Sequence, residues 1–220
     1  MTVTQERPAA APKPVSEEAL VDVPQEDLLR PRRWTTAEYY ALSDAGFFDD
    51  ERVELLDGEI WTLPAQKTPH FSAVEAAAEA LLSAFGSGFT ARRHGPMTLE
   101  NGTEPEPDLL IVPGSWRDYA QVHPTPTEAS LLVEVSDATL RKDRTKKLND
   151  YARAGIADYW IINLVNRQLE VYRDPAPMNG SHGYKTVQTL FDGDTISPLS
   201  APNGLVAVAD LFPPLQPPQP

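Results

Sequence analysis

The chain has 220 residues and a formal net charge of −13 at neutral pH, without a single cysteine. That length supplies ample material for one moderate domain with extensions, and the missing thiols exclude disulfides, thiolate zinc sites and cysteine nucleophiles. The acidic balance speaks against a protein that coats nucleic acid non-specifically, while leaving room for a local basic patch beside an acidic metal site.

The four histidines, His70, His94, His123 and His182, are scattered without a pair at helical ligand spacing, which disfavours a zinc enzyme. No apolar run approaches the ~18 residues of a membrane span, and the N-terminus lacks a basic segment followed by an apolar one. A soluble, cytoplasmic protein without a membrane partner is expected.

Residues 1–32 are rich in Pro, Ala and acids, the composition of a disordered arm. Folded sequence is expected over 33–212, beginning near Trp34. Thr35 and Glu38 fit a capping box for a short helix that Gly46 ends. Val53-Glu54-Leu55-Leu56 and Glu59-Ile60-Trp61-Thr62-Leu63 flank Asp57-Gly58, a strong hairpin signal. Thr68 as cap and Pro69 at the first position open a helix. Its apolar residues Phe71, Val74, Ala78, Leu81, Leu82 and Phe85 recur at helical spacing up to Gly86.

Short strands are expected around Phe89 to Arg92 and Met97 to Leu99. Near-continuous apolar runs at 108–112 and 131–136 read as interior strands. A helix follows from about Arg141 to Ala154, with Gly155 at its C-terminal cap. Asp158–Asn163 and Gln168–Tyr172 read as a hairpin turning at Val165-Asn166-Arg167. A further strand is expected near Tyr184 to Leu190, the segment from Leu205 to Phe212 is ambiguous, and 213–220 reads as a proline-rich tail. The order of elements predicts a mixed α/β fold, one mixed sheet with helices on its faces.

The central strands each hold one acid where an acid is expensive. Asp108 opens the first, and Glu134 interrupts Leu131-Leu132-Val133 and Val135. A buried carboxylate needs a partner or a cation. Asp108, Glu134, Glu54 and the backbone carbonyl of Val135 could supply oxygen ligands to magnesium or manganese. Such an ion would polarise a phosphoryl oxygen and lower the pKa of an attacking water, and a lysine could stabilise the charge growing on phosphorus. With ~100° per residue, Leu148, Tyr151 and Ala152 mark the buried helix face. Lys147 then lies at its border, and Lys146 points to solvent.

Pro107-Asp108 followed by Glu134-Val135-Ser136 resembles the PD-(D/E)XK nuclease motif. The wider set resembles the Uma-type restriction endonuclease family of that superfamily. It comprises Arg52 to Ile60, Pro69-His70, Leu132 to Ser136, Asp143, Lys147, Tyr151 to Ile156 and Tyr159-Trp160, and covers roughly residues 33–212. The resemblance implies a restriction-endonuclease-like fold and a magnesium- or manganese-dependent endonuclease acting on DNA, reasonably as a homodimer. Carried over by position, Asp108 and Glu134 are metal ligands and Glu54 the acid from the N-terminal half. The motif's usual lysine falls on Ser136, so the resemblance implies a lysine relocated to the next helix, where Lys147 fits.

Plainer readings stand beside these. Glu54 could be a cross-strand partner of a lysine or arginine. Asp108 could be an exposed acid at a strand start, and alternation could turn Glu134 outward. His70 suits a local hydrogen bond at a helix start. Arg92-Arg93-His94 and the Arg141, Lys142, Arg144, Lys146 set suit solvated surfaces. A catalytically silent module binding DNA or a protein is the alternative function, with a small-phosphate hydrolase behind it.

Overall fold

The computed structural model describes residues 31–99 and 102–214. The arm expected over 1–32 and the tail over 213–220 fall almost wholly outside those residues. The chain from Arg33 onward clusters as one unit.

The first helix, α1 (Thr36–Asp44), starts at Thr35, whose hydroxyl accepts from the Glu38 N–H while the Glu38 carboxylate accepts from the Thr35 N–H. The capping box is therefore real, and it satisfies donors a helix start leaves open. Strands β1 (Val53–Leu56) and β2 (Glu59–Thr62) pair antiparallel across Asp57 and Gly58. Both turn residues have positive φ, 52° and 72°, the requirement of a type I′ turn.

Helix α2 (Thr68–Phe85) buries Val74, Ala78, Leu81 and Phe85 of the expected apolar stripe and ends at Gly86, whereas Phe71, expected to join them, is exposed. Its start differs from expectation by one residue. Lys67 takes the cap position with an extended backbone and no side-chain cap bond, and Thr68 is already helical.

Among the described residues, six strands form the central sheet in the order β3-β4-β5-β6-β7-β8. These are β3 (Phe89–Arg93), β4 (Leu109–Pro113), β5 (Leu131–Ser136), β6 (Asp158–Asn163), β7 (Gln168–Met178) and β8 (Ser181–Leu190). Neighbours are antiparallel except β5 and β6, which are parallel. A parallel pair needs a crossover, and here it is helical. The expected strand at Met97–Leu99 does not form; that segment makes a single bridge, Leu99 to Thr103. The ambiguous segment near the C-terminus contains the two-residue β10 (Val206–Ala207), paired with β9 (Thr195–Ile196), and a 3-10 turn at Val208–Leu211.

Alternation along the strands splits the core in two. Leu109, Ile111, Leu131, Val133, Val135, Trp160 and Ile162 face α2 and the C-terminal segment. Leu110, Val112, Leu132, Tyr159, Ile161 and Tyr172 face the crossover. Glu134 shares the second face with Leu132 by strand periodicity, so the acid points under the crossover helix, not to solvent.

That crossover runs through α3 (Leu140–Lys142), a π-helical turn at Asp143–Lys147 and α4 (Leu148–Arg153). The expected regular helix is therefore interrupted. The Leu148 N–H reaches back five residues to the Asp143 carbonyl. Two side chains compete for carbonyls there: the Thr145 hydroxyl donates to Arg141 O at 2.7 Å and the Tyr159 hydroxyl to Asp143 O at 3.1 Å. Such insertion into the hydrogen-bond ladder is a known cause of helix irregularity, and π turns concentrate at functional sites.

Candidate active site

Strand pairing brings the two central acids together. Leu109 stands opposite Val133, so the next rung sets Asp108 opposite Glu134. The Val135 N–H donates to Asp108 Oδ2 at 2.8 Å, fixing the carboxylate at the end of β4. Glu134 is buried at 2% exposure and Glu54 at 0%, so the reading that turned Glu134 outward is set aside.

Glu54 reaches the same place from β1. Its Oε2 accepts from the Glu106 N–H at 3.2 Å, and its Oε1 from Lys142 Nζ at 2.6 Å. The sequence allowed a lysine or arginine partner within the hairpin. The partners lie instead on the crossover, since Lys147 Nζ also stands 3.3 Å from Glu54 Oε2.

Lys147 is the centre of the cluster. Its Nζ donates to Glu134 Oε1 at 2.9 Å, and the Tyr151 hydroxyl donates to the same oxygen at 2.6 Å. Burial disfavours the ammonium, but Glu134, Glu54, Asp143 and Asp108 together hold its pKa well above the ordinary lysine value. Burial likewise pushes the Glu134 carboxyl up to about 8, against the pull of Lys147 and with the help of Asp108 and Asp143. The direction on the lysine governs the pair, because four carboxylates surround one ammonium. Burial opposes ionisation of Glu54 too, yet Lys147 and Lys142 hold it below the usual carboxylate range.

The π turn explains why two lysines meet one carboxylate. In a regular α-helix residues five apart diverge by about 140°. In a π turn the N–H bonds five residues back, and residues five apart stack. Lys142 and Lys147 therefore project the same way. Lys142, read from the sequence as a solvated position, is part of the site. Lys146, expected to point to solvent, instead lies over the Trp61 ring, its Nζ 5.7 Å from the centroid and 3.5 Å from Glu59.

Three more residues belong here that the sequence did not assign to the site. His70 Nε2 lies 3.2 Å from Asp108 Oδ2 and His94 Nδ1 3.3 Å from Oδ1, so neither is a surface or local contact. Burial opposes the Asp108 charge, but the two imidazoles outweigh it and hold the carboxyl well below its usual range. In return burial lowers the His70 pKa and the Asp108 bond more than restores it. Asp143 accepts from the Ser136 and Thr139 hydroxyls, both at 2.7 Å. Ser136, at the motif's lysine position, thus anchors the crossover acid. Burial raises the Asp143 pKa, with Lys147 and the two hydroxyls opposing. A Ser at 136 and an Asp seven residues on gave no periodicity to read.

Of these groups, His70, Asp108, Glu134, Lys142, Asp143 and Lys147 line a cleft of about 40 Å³, together with Arg52, Leu63 and Lys67. At ~10–15 Å³ per water that is room for a few water-sized bodies. Among the described residues, no three His, Asp or Glu side chains converge as a ready metal cage. The donor chemistry nevertheless fits a hard divalent cation. Glu54, Asp108, Glu134 and Asp143 gather hard carboxylate oxygens beside Lys142 and Lys147. Magnesium characteristically takes one or two carboxylates and fills its remaining positions with water and substrate oxygens.

The model of the Uma2 family, described as a putative restriction endonuclease, matches residues 36–210. Among solved structures, the fold is similar to a putative nuclease belonging to DUF820 from Anabaena variabilis ATCC 29413, with a TM-score of 0.63. The two chains are 15% identical, and the match covers 81% of this chain and 97% of that one. No curated protein matches. No helix among the described residues is long and apolar enough to cross a membrane.

Proposed function

The chain belongs to the Uma2 family of putative restriction endonucleases, and from that premise we propose that it is a metal-dependent endonuclease hydrolysing phosphodiester bonds in DNA. The observation that carries the reading is Lys147 Nζ, which touches both Glu134 and Glu54 in the cleft that Asp108 lines. A nuclease of this type needs two carboxylates and a cation at one point, and the crossover lysine supplies what Ser136 does not.

Asp108, Glu134 and the Val135 carbonyl would hold magnesium or manganese, with Glu54 as the acid from the N-terminal half. When bound, the ion supplies Lewis-acid polarisation of the phosphoryl group and a more acidic water. The remaining work falls to the chain. The Lys147 ammonium stabilises negative charge growing on the phosphoryl oxygens, at a fixed position and in a site that excludes bulk water. Glu134 and Glu54 hold that ammonium in place, and the Tyr151 hydroxyl fixes Glu134. His70 and His94 keep Asp108 ionised and oriented.

A cytoplasmic homodimer is part of the proposal, since two-fold dimers are the commonest closed assemblies. The deciding experiment incubates the protein with plasmid and single-stranded DNA, with and without magnesium or manganese, with Glu134→Ala as control. Metal-dependent cleavage lost in the control is the expected result. Metal-independent cleavage overturns the metal-dependent reading, and no cleavage under any metal overturns the proposal and leaves the silent DNA- or protein-binding module.

A further inference from the structure

Trp61 stands opposite Glu54 in the β1–β2 ladder, and directly paired residues of antiparallel strands share a face. The hairpin therefore presents the buried acid and the tryptophan to the same side. That side meets the crossover: Glu54 takes Lys142 and Lys147, while Glu59 and the Trp61 ring take Lys146. Lys146 thus ties Glu59 and the ring together. Even so, Trp61 keeps 38% of its surface exposed.

The ring also adjoins the cleft. Leu63, two residues further along the chain, lines the cleft, about 7 Å away by strand rise. The cleft volume of about 40 Å³ admits an ion with water but no nucleotide. A phosphodiester must then lie across the mouth, and the base beside it passes over the rim. Lys146 is the cation lying over that ring, and its contact with the exposed Glu59 is weak enough to exchange for a phosphate.

We propose that Trp61 is a stacking site for a nucleobase flanking the scissile phosphodiester, with Lys146 taking the adjoining phosphate, so that the preferred substrate is unpaired, single-stranded DNA. The inference rests on the nuclease reading and names the substrate form for that site. Aromatic rings accept any base by its π-face, and the neighbouring cation tracks the backbone. A paired duplex keeps its bases in the stack and offers none to the ring.

The test needs no cleavage. Full-length protein in chelator is titrated with a twelve-residue oligothymidylate, and separately with a duplex of equal length, while tryptophan fluorescence is read. Single-strand binding should quench Trp61, and Trp61→Ala should weaken it about tenfold while changing duplex binding less than about twofold. Trp61→Phe, which keeps a ring, should bind nearly as well but lose part of the quench. Trp116→Phe is the control, since Trp116 lies beyond the far end of β4 from Asp108. Lys146→Ala should lower the salt slope of single-strand binding by about 0.7. Single-strand affinity of Trp61→Ala within twofold of wild type overturns the proposal, as does an equal loss on strand and duplex. If Trp61→Ala fails to fold, an unchanged quench in Trp61→Phe overturns it. Failure of the nuclease reading would appear separately, as absent cleavage with metal.

Discussion

Lys147 and Glu134 form a buried pair, Nζ to Oε1 2.9 Å, although they sit on different elements thirteen residues apart. In the nuclease motif the cation follows the glutamate on the same strand. Here the strand continues with Ser136, and the cation arrives from the crossover helix above it.

Lys147→Ala should slow the chemical step roughly 10²-fold or more, the scale of losing one preorganised electrostatic donor. Lys147→Met keeps the packing stem, so an equal loss in single-turnover cleavage assigns the effect to charge. Both variants should also unfold more readily without metal, by about 3–5 kcal/mol, because a buried carboxylate is left without its partner.

At the proposed metal ligands, Asp108→Asn and Glu134→Gln should abolish cleavage and weaken magnesium binding measured by calorimetry, with the fold intact by circular dichroism. Full cleavage by both variants would exclude the site.

Lys142 offers a separate test of the π turn. Lys142→Met removes one cation from Glu54 and leaves Lys147, so cleavage should fall less than in Lys147→Met. Inserting or deleting one residue within 143–147 should abolish activity, since it rotates one lysine away from Glu54. A deletion variant with wild-type rates would show that the turn's phase does not matter.

Stability should depend on pH through Glu170. Burial opposes its charge, but bonds from Arg144, Asn163, Tyr172 and Gln168 hold its carboxyl below the ordinary value. The unfolded state then binds the proton more readily. Stability from this group is fully present above the unfolded value of about 4.3 and is lost as pH falls through the lower folded value. Urea midpoints between pH 2.5 and 6 should fall less steeply in Glu170→Gln than in wild type. Because Arg144 lies in the π turn and pairs with Glu170 at 2.6 Å, the same variant should loosen that turn.

Gly58→Ala should destabilise the hairpin that carries Glu54. The residue has a φ of 72°, and an added Cβ would lie 2.6 Å from the Arg33 Cβ. Left-handed backbone costs about 1–2 kcal/mol for an L-residue, and the clash adds to it. Gly155→Ala shares the positive φ but meets nothing within 4 Å, so its thermal midpoint should drop less.

The sequence by itself determined the elements and the family. Asp57-Gly58 between alternating runs, the Thr35–Glu38 box and the stripe from Val74 to Phe85 are local signals, written in turn chemistry, capping and periodicity. They survive folding because tertiary contacts agree with them. The spaced acids Glu54, Asp108 and Glu134 were legible for a related reason: a charge inside an apolar run stands out against its neighbours. Met97 to Leu99 misled because a short apolar stretch forms a strand only with a partner edge to pair with, and no window of sequence states whether one is free.

Tertiary structure alone decided how the acids are neutralised. A regular 100° helix turns Lys142 and Lys147 apart, and only the Tyr159 hydroxyl and the Thr145 side chain, competing for carbonyls, make the π turn that aligns them. His70 and His94 come from a helix start and a strand end that share Asp108 solely because β3 and β4 pair beside α2. The partner of a buried charge is set by distances across elements, and those distances follow from packing, which no local pattern encodes.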